Sequence, residues 1–183
     1  VTKYGADALR FGVMRSAPLG QDVIYDELNV ELGRNFCNKL WNACRFRQMQ
    51  GGEVQAEIRS ELLGNDDRWI LMRLDQAIRE IDQAYEGYRF NEVTQTLYRF
   101  FWSEYCDWYV EASKAAFFGS DAALKANKLA VIDFILGHIL RLEGRGEHEE
   151  GQQKESDIDH RGHIQLEPDA FSFRHSGSAF RKR

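Results

Sequence analysis

The sequence has few of the residues that interrupt or cross-link a fold. Only two prolines, Pro18 and Pro168, occur in 183 residues, so long stretches are free to be helical. The three cysteines, Cys37, Cys44 and Cys106, are odd in number and lack metal-ligand spacing. This usage indicates a reduced, cytoplasmic setting, because disulfide-stabilised folds belong to oxidising compartments.

The signatures of several enzyme and membrane classes are also absent. No apolar run reaches the length of a transmembrane helix, and no signal peptide opens the chain. The sequence contains no glycine-rich phosphate loop, nucleophile elbow or H-E-x-x-H zinc motif. We therefore expect no membrane span, no metal site and no complete active site. The chain begins with Val1 instead of methionine, which predicts an interior position in a longer protein.

Composition divides the chain into a body and a tail. Half of residues 1–142 are hydrophobic, whereas only 8 of the 41 residues in 143–183 are. The tail also holds 16 charged residues and four of the five histidines. A segment this polar cannot bury enough apolar surface to offset its conformational entropy. We therefore predict that residues 143–183 are disordered.

Apolar residues of the body recur at helical spacing, which predicts an all-α antiparallel helical bundle. The predicted helices span residues 5–16, 27–50, 66–88, 92–117 and 121–142. Asp26 suits the N-cap of the second helix, and Gly51 and Gly52 end it. The stripe expected to be buried on the fourth helix consists of Val93, Leu97, Phe101, Tyr105, Trp108, Ala112 and Ala115.

The second helix carries the most informative polar pattern. Residues 32–52 hold four bases and no acid, although the whole chain has a net charge of −5. One polar stripe follows the helix at spacings of four, four and three, with Asn35 and Lys39 beside it and Phe36, Trp41 and Phe46 interleaved. Bases neutralise phosphate, asparagine amides donate and accept at base edges, and aromatic rings stack on bases. The pattern is therefore typical of single-stranded RNA recognition, and the stripe consists of Arg34, Asn38, Asn42 and Arg45.

Two simpler interpretations stay open at this point. Basic faces are common on amphipathic helices, so the aromatic residues of the second helix could be core and its bases merely solvated.

The fourth helix carries an acidic stripe. Glu104, Asp107 and Glu111 share one of its faces, where carboxylates could serve acid–base or metal chemistry. No histidine lies nearby in the sequence, and Lys114 is placed to pair with Glu111, which favours a salt-bridged surface.

Four segments of the body carry a family resemblance, which covers residues 1 to about 142. They are YGADALRFGVMRSAPLGQDVIYDE, GRNFCNKLWNACRF, DDRWIL and FFWSEYCDWYVEASK. Together they resemble the valine–tRNA ligases, a family of class I aminoacyl-tRNA synthetases. The isoleucine and leucine enzymes share the opening YGADxLR motif and the bundle, but they differ at the NKLWNA and CDWYVE blocks.

The resemblance implies an enzyme of protein biosynthesis that activates valine with ATP and magnesium and transfers it to its tRNA. Residues 1–26 would be a stem-contact segment and residues 27–142 an incomplete anticodon-binding helical bundle. The family's HIGH and KMSKS motifs and its editing domain would precede Val1. The resemblance therefore implies a cytoplasmic fragment of a monomeric enzyme, without catalytic residues or a cofactor of its own and inactive alone. The residues expected to face tRNA are Arg34, Asn35, Asn38, Lys39, Trp41, Asn42 and Arg45, with Trp41 or Phe46 stacking or packing.

The sequence departs from the family after Leu142. The family continues with a block like H-P-F-x-P-F-x-T-E-E-L-W, whereas this chain continues EGRGEHEE. We interpret the change as a frameshift, a misjoined gene model or a truncation, with a divergent natural ending as the alternative. Without the family ending, part of the last helix is expected to be uncovered.

Three functional hypotheses follow. The chain is a tRNA-binding part of the ligase, a stand-alone RNA-binding module descended from it, or a helical protein-interaction domain without an RNA role.

Overall fold

The regular structure of the chain is helical wherever its computed structural model describes it, over residues 3–52 and 57–144. The elements are α1 (Ala6–Arg15), α2 (Glu27–Met49), a short 3-10 turn (Ser60–Leu62), α3 (Asn65–Glu86), α4 (Phe90–Tyr98), a π-helical segment (Arg99–Val110), α5 (Glu111–Phe118) and α6 (Ala122–Gly144). Because α4, the π-helical segment and α5 follow without a break, they form one long rod. This confirms the all-α prediction. Of the tail predicted to be disordered, residues 143–183, the first two residues belong to α6, and the rest lies outside the described residues.

Both ends of α2 follow from local chemistry. The Asp26 side chain accepts a hydrogen bond from the Leu28 backbone N–H at 3.0 Å, which satisfies one of the free amides of the first turn. At the other end Gly51 and Gly52 adopt φ values of +68° and +79°, which glycine tolerates without steric cost. The predicted cap and the predicted stop of this helix are both confirmed.

The helix α3 runs antiparallel to the rod. Near the start of α3, Asp67 accepts a hydrogen bond from the Tyr109 hydroxyl at 2.6 Å. Near the end of α3, Glu80 accepts one from the Arg99 guanidinium. The sequence numbers therefore fall along the rod as they rise along α3, as expected for neighbours joined by a short loop.

The helix α2 runs in the same direction as the rod, and α1 covers its first half. Phe36 contacts Phe101 with ring centroids 5.3 Å apart, and ten residues later Phe46 contacts Phe117 at 5.9 Å. Phe11 of α1 stacks on Phe36 at 4.7 Å. Since α3 runs opposite to α2 and the rod, helices of both directions pack around one apolar core, which is an antiparallel bundle.

The buried stripe of the rod differs from the prediction in its second half. Trp108 is 72% exposed, and Ala112 and Ala115 are also exposed, whereas Tyr109, Ser113 and Phe117 are buried. Every fourth residue from 93 to 117 is buried, and Thr94 and Phe100 are buried beside this line. A π-helix has more residues per turn than an α-helix, so positions four apart stay nearer to one line. The prediction of a buried Trp108 is wrong because it assumed the α-helical period.

The last helix is better covered than expected. Large apolar side chains of α6 are buried on several sides, because α2, α3, α5 and the turn at Ser60–Leu62 surround it. Up to Leu142, the end of its described side chains, the one exposed large apolar side chain is Leu124, in the first turn, at 42%. The expectation of an uncovered last helix is therefore not met there. The buried residues include Leu129, Val131, Ile132, Ile135, Leu136, Ile139 and Leu142.

Candidate nucleic-acid interface

The predicted stripe lies on the solvent side of α2. The side facing the bundle carries Phe36, which is fully buried, and Leu40. At 3.6 residues per turn, the residues of the stripe fall on the opposite side. We call this side the α2 outer face; it consists of Arg34, Asn38, Trp41, Asn42 and Arg45, of which the last four are exposed and Arg34 is partly buried. The geometry makes these groups accessible, and their contact with RNA stays a prediction.

Arg34 is held at the edge of this face by neighbours. Its guanidinium donates to Glu31 at 2.9 Å and to the side-chain oxygen of Asn35 at 3.2 Å. It also lies 5.5 Å from the ring centroid of Tyr4, within the range of a cation–π contact. The Asn35 side chain is therefore engaged in orienting Arg34 in this structure.

Lys39 points toward the rod. Its ammonium pairs with Asp107 at 2.7 Å and lies 4.0 Å from the ring centroid of Trp102. The Lys39 side chain is 25% exposed and the Asp107 side chain 51% exposed. The pair therefore forms the wall between α2 and the rod, next to the α2 outer face.

The fourth base of the acid-free window, Arg47, is not on the surface at all. Its guanidinium donates two hydrogen bonds to Asp133 of α6 and a third to the backbone carbonyl of Gly51. The side chains of Arg47 and Asp133 are 7% and 3% exposed. Arg47 therefore belongs to the core, where it ties α2 to α6.

Tertiary partners change the electrostatic picture of this helix. Arg34, Lys39 and Arg47 each have an acidic partner, and the acids that pair with Lys39 and Arg47 come from other helices. Arg45 is exposed and has no ion-pair partner among the residues that the structure describes. The local excess of four positive charges read from the sequence is thus largely offset in the fold. The groups that remain exposed on the α2 outer face are the amides of Asn38 and Asn42, the indole of Trp41 and the guanidinium of Arg45.

The structure separates the roles of the two candidate stacking residues. Phe46 packs against the apolar core and contacts Phe117 of α5. The Trp41 side chain is 49% exposed on the α2 outer face. Of the two, Trp41 is therefore the residue available to stack on a base.

The acidic stripe of the rod is a salt-bridged surface. Glu104 accepts two hydrogen bonds from Arg73 of α3, at 2.8 and 2.6 Å. Asp107 pairs with Lys39, and Glu111 accepts from Lys114 at 2.7 Å, as the sequence predicted. Each carboxylate has a cation, so the stripe has no group left for acid–base work.

A groove that the sequence did not predict runs between α3 and the rod. Its volume is about 770 Å³, and its walls include Trp69, Met72, Arg73, Glu104 and Trp108. Trp69 and Met72 are three residues apart on α3 and lie off its buried stripe. This spacing is the sequence signal that could have revealed the groove. Trp108 was missed because it was assigned to the core.

Burial shifts the pKa values of two side chains in the core, Cys106 and Tyr109. Burial raises the pKa of the Cys106 thiol to about 12, so this thiol stays protonated near neutral pH. Burial and the hydrogen bond to Asp67 raise the pKa of Tyr109. Across residues 3–52 and 57–144, no group of three or more histidine, cysteine or acidic side chains is placed to hold a metal ion.

None of the described helices combines the length and the apolar character that a bilayer span requires.

Comparison with known proteins shows what part of the bundle is similar to. Residues 67–142 match the family model of the anticodon-binding domain of tRNA ligase. They include all of the π-helical segment, α5 and nearly all of α3, and they end within α6.

The relatives extend the similarity beyond this domain. Valine–tRNA ligases from Rhizobium meliloti and Geobacter sulfurreducens are 42% and 43% identical to the chain over 143 and 145 residues. The enzyme from Streptomyces avermitilis is 44% identical over 141 residues. These matches cover 76–78% of this chain but only 15–16% of the length of the relatives. The resemblance to valine–tRNA ligase is thereby confirmed, and the similar part of those enzymes is a small, non-catalytic share.

Proposed function

We propose that this chain binds the anticodon arm of valine tRNA as the RNA-binding part of a cytoplasmic valine–tRNA ligase. The observation that carries the proposal is the exposed row of Asn38, Trp41, Asn42 and Arg45 on a helix packed against an anticodon-binding domain. Activation of valine with ATP and magnesium, and its transfer to tRNA, would take place on residues outside the described structure. In this proposal the 183-residue chain alone forms no aminoacyl-tRNA.

The chemistry of the α2 outer face supports recognition of unpaired bases. The amides of Asn38 and Asn42 each offer two donors and an acceptor, and such groups read the edges of bases that are not paired. Trp41 offers a flat apolar surface for stacking, and Arg45 offers a cation that no acid within residues 3–52 and 57–144 pairs with. An anticodon loop presents both unstacked bases and phosphates, so it matches the four groups.

The proposal is tested with an RNA stem-loop that carries the anticodon arm of valine tRNA. We expect the full chain to bind it in a salt-dependent manner, measured by fluorescence anisotropy. Replacing Trp41 by Leu removes the stacking surface and is expected to weaken binding by roughly 5- to 150-fold, the range for one base–aromatic stack. The exchange Arg45→Glu should weaken binding further at low salt because it repels phosphate.

Arg79→Glu is the matched control, since Arg79 is an exposed arginine on α3, away from this face. It makes the same charge change and should leave binding within about twofold. Equal effects of the Arg45 and Arg79 exchanges would show that binding is non-specific. No salt-dependent binding by the wild type would overturn the proposal and favour a protein-interaction domain. Tighter binding of the valine stem-loop than of a stem-loop with another anticodon tests the specificity.

A further inference from the structure

A second indole lies beside the α2 outer face, at the start of the π-helical segment. The ring of Trp102 stacks with Tyr98, one turn earlier, with centroids 5.2 Å apart and an angle of 15° between the planes. The ammonium of Lys39 lies over the Trp102 ring, 4.0 Å from its centroid. A flat, partly exposed aromatic surface is thus covered by a side chain of the neighbouring helix.

The cover is held weakly. The Lys39–Asp107 pair at 2.7 Å holds the ammonium in place, but the Asp107 side chain is 51% exposed and the Lys39 side chain 25% exposed, so solvent reaches the pair. Ion pairs of this kind contribute little to stability, because water and salt screen them and the lysine loses rotamer freedom. The ammonium can therefore move from Asp107 to another anion at small cost.

The position of Lys39 makes an RNA phosphate the matching anion. Asn38 precedes Lys39 in the chain, and Asn35 and Asn42 lie one turn to either side, so it adjoins the proposed RNA surface. A phosphate brought there by a bound loop carries the same charge as the Asp107 carboxylate. The phosphate can replace that carboxylate as the partner of Lys39, and the part of the indole that Lys39 overlies becomes free.

We propose that Trp102 is a second base-stacking residue of this surface, covered by Lys39 in the free protein and uncovered when an RNA phosphate draws Lys39 away from Asp107. This inference rests on the proposed function and adds one residue and one movement to it. Aromatic side chains bind bases of any sequence through their flat faces. In this arrangement Asp107 opposes RNA binding, because it holds the cover closed and repels phosphate.

The test uses the full chain and the same anticodon stem-loop, with 2-aminopurine placed at successive loop positions. Stacking on an indole quenches 2-aminopurine, so the wild type should quench the probe at one loop position in a manner that depends on Trp102. We expect Trp102→Leu to abolish that quench and to weaken binding roughly tenfold, within the range for loss of one stack. Trp102→Phe keeps a flat ring and should retain most of the affinity.

A second variant does not disturb the aromatic packing. Asp107→Asn removes the acid that holds Lys39 and should tighten binding by roughly two- to fivefold, in line with the small value of an exposed ion pair. Asp75→Asn is its matched control, because Asp75 is an exposed acid paired with Arg79 on α3. It makes the same charge change and should shift affinity by much less.

The outcomes separate this inference from the proposed function. If the wild type binds but Asp107→Asn tightens binding no more than Asp75→Asn, the displacement of Lys39 is excluded. If Trp102→Leu is folded, binds normally and still quenches the probe, stacking on Trp102 is excluded. In both cases the proposed function stands. Failure of the wild type to bind the stem-loop overturns both proposals.

Discussion

The guanidinium of Arg47 and the carboxylate of Asp133 form a two-point ion pair inside the bundle. Arg47 Nε lies 2.5 Å from Asp133 Oδ1, and Nη2 lies 2.7 Å from Oδ2. The two residues are 86 positions apart in the sequence, on α2 and α6. The helix that carries the candidate RNA surface is therefore fixed to the last helix of the bundle by a buried charge pair.

Removing one partner of this pair should destabilise the protein strongly. Asp133→Asn removes the carboxylate charge opposite the buried Arg47 guanidinium, and breaking a buried pair in this way typically costs about 3–5 kcal/mol. The double exchange Arg47→Met with Asp133→Leu should recover most of the loss, because apolar residues of similar size often replace a buried pair without penalty. Urea unfolding followed by circular dichroism measures both. A loss below about 1 kcal/mol for Asp133→Asn would show that water reaches the guanidinium.

The contact between α1 and α2 requires a glycine at position 33. A Cβ atom there would lie 2.6 Å from the Ala8 backbone carbonyl oxygen and 3.1 Å from the Phe11 Cβ. The backbone of α1 cannot move aside as a flexible side chain can, so Gly33→Ala should destabilise by about 1–3 kcal/mol, as overpacking typically does.

Gly119→Ala is the matched control for this exchange. A Cβ at Gly119 would lie no closer than 3.4 Å to a neighbour among the described residues, and the φ of −74° suits any residue. Thermal unfolding should place this variant within about 0.5 kcal/mol of the wild type, as for ordinary surface substitutions. Equal losses for the two exchanges would show that close approach to α1 is not the cause of the loss at Gly33.

The order of the helices could be predicted from the sequence, because apolar periodicity and glycine stops are local signals. The second helix was predicted over 27–50 and spans Glu27–Met49. The partners of its bases could not be predicted, since Asp107 and Asp133 are 68 and 86 residues away from Lys39 and Arg47. A local count of charge therefore overestimated the positive potential of α2.

The exposure of Trp102 and Trp108 could not be predicted from the helical spacing of apolar residues either. Trp108 was placed in the core by a spacing of 3.6, whereas the rod buries every fourth residue through its π-helical segment. Nothing in the local sequence marks the change of helical type. The stacking of Trp102 under Lys39 likewise depends on how two helices pack, which no single-helix pattern contains.

Acidification should weaken the fold through His138. Burial lowers the pKa of His138 below its usual value, and Arg141 adds to that effect, while a contact of the ring nitrogen with the Phe134 carbonyl at 2.8 Å opposes it. The unfolded chain then binds a proton at a higher pH than the native protein does, so stability is complete above pH of about 6.5 and declines as the pH falls through the lowered value.

Guanidinium unfolding of the wild type and of His138→Gln between pH 7.5 and 5.5 would measure this contribution. The free energy of unfolding should fall with pH in the wild type and fall less in the variant, because glutamine does not titrate. Parallel pH profiles for the two proteins would assign the acid sensitivity to other groups.

The salt dependence of RNA binding should be weaker than four bases on one helix would suggest. Each phosphate neutralised on a single strand contributes a slope of about 0.7 to the fall of log K with log salt. Arg47 is buried and Arg34 is paired with Glu31, which leaves Arg45 and a released Lys39 to meet phosphates. We therefore expect α2 to contribute a slope of about 1.4 instead of about 2.8.

Binding isotherms of the anticodon stem-loop between low and physiological salt measure this slope. Arg45→Ala should lower the slope by about 0.7, whereas Arg79→Ala should leave it unchanged. A drop of similar size on replacing Arg34 would show that its pair with Glu31 opens when RNA binds.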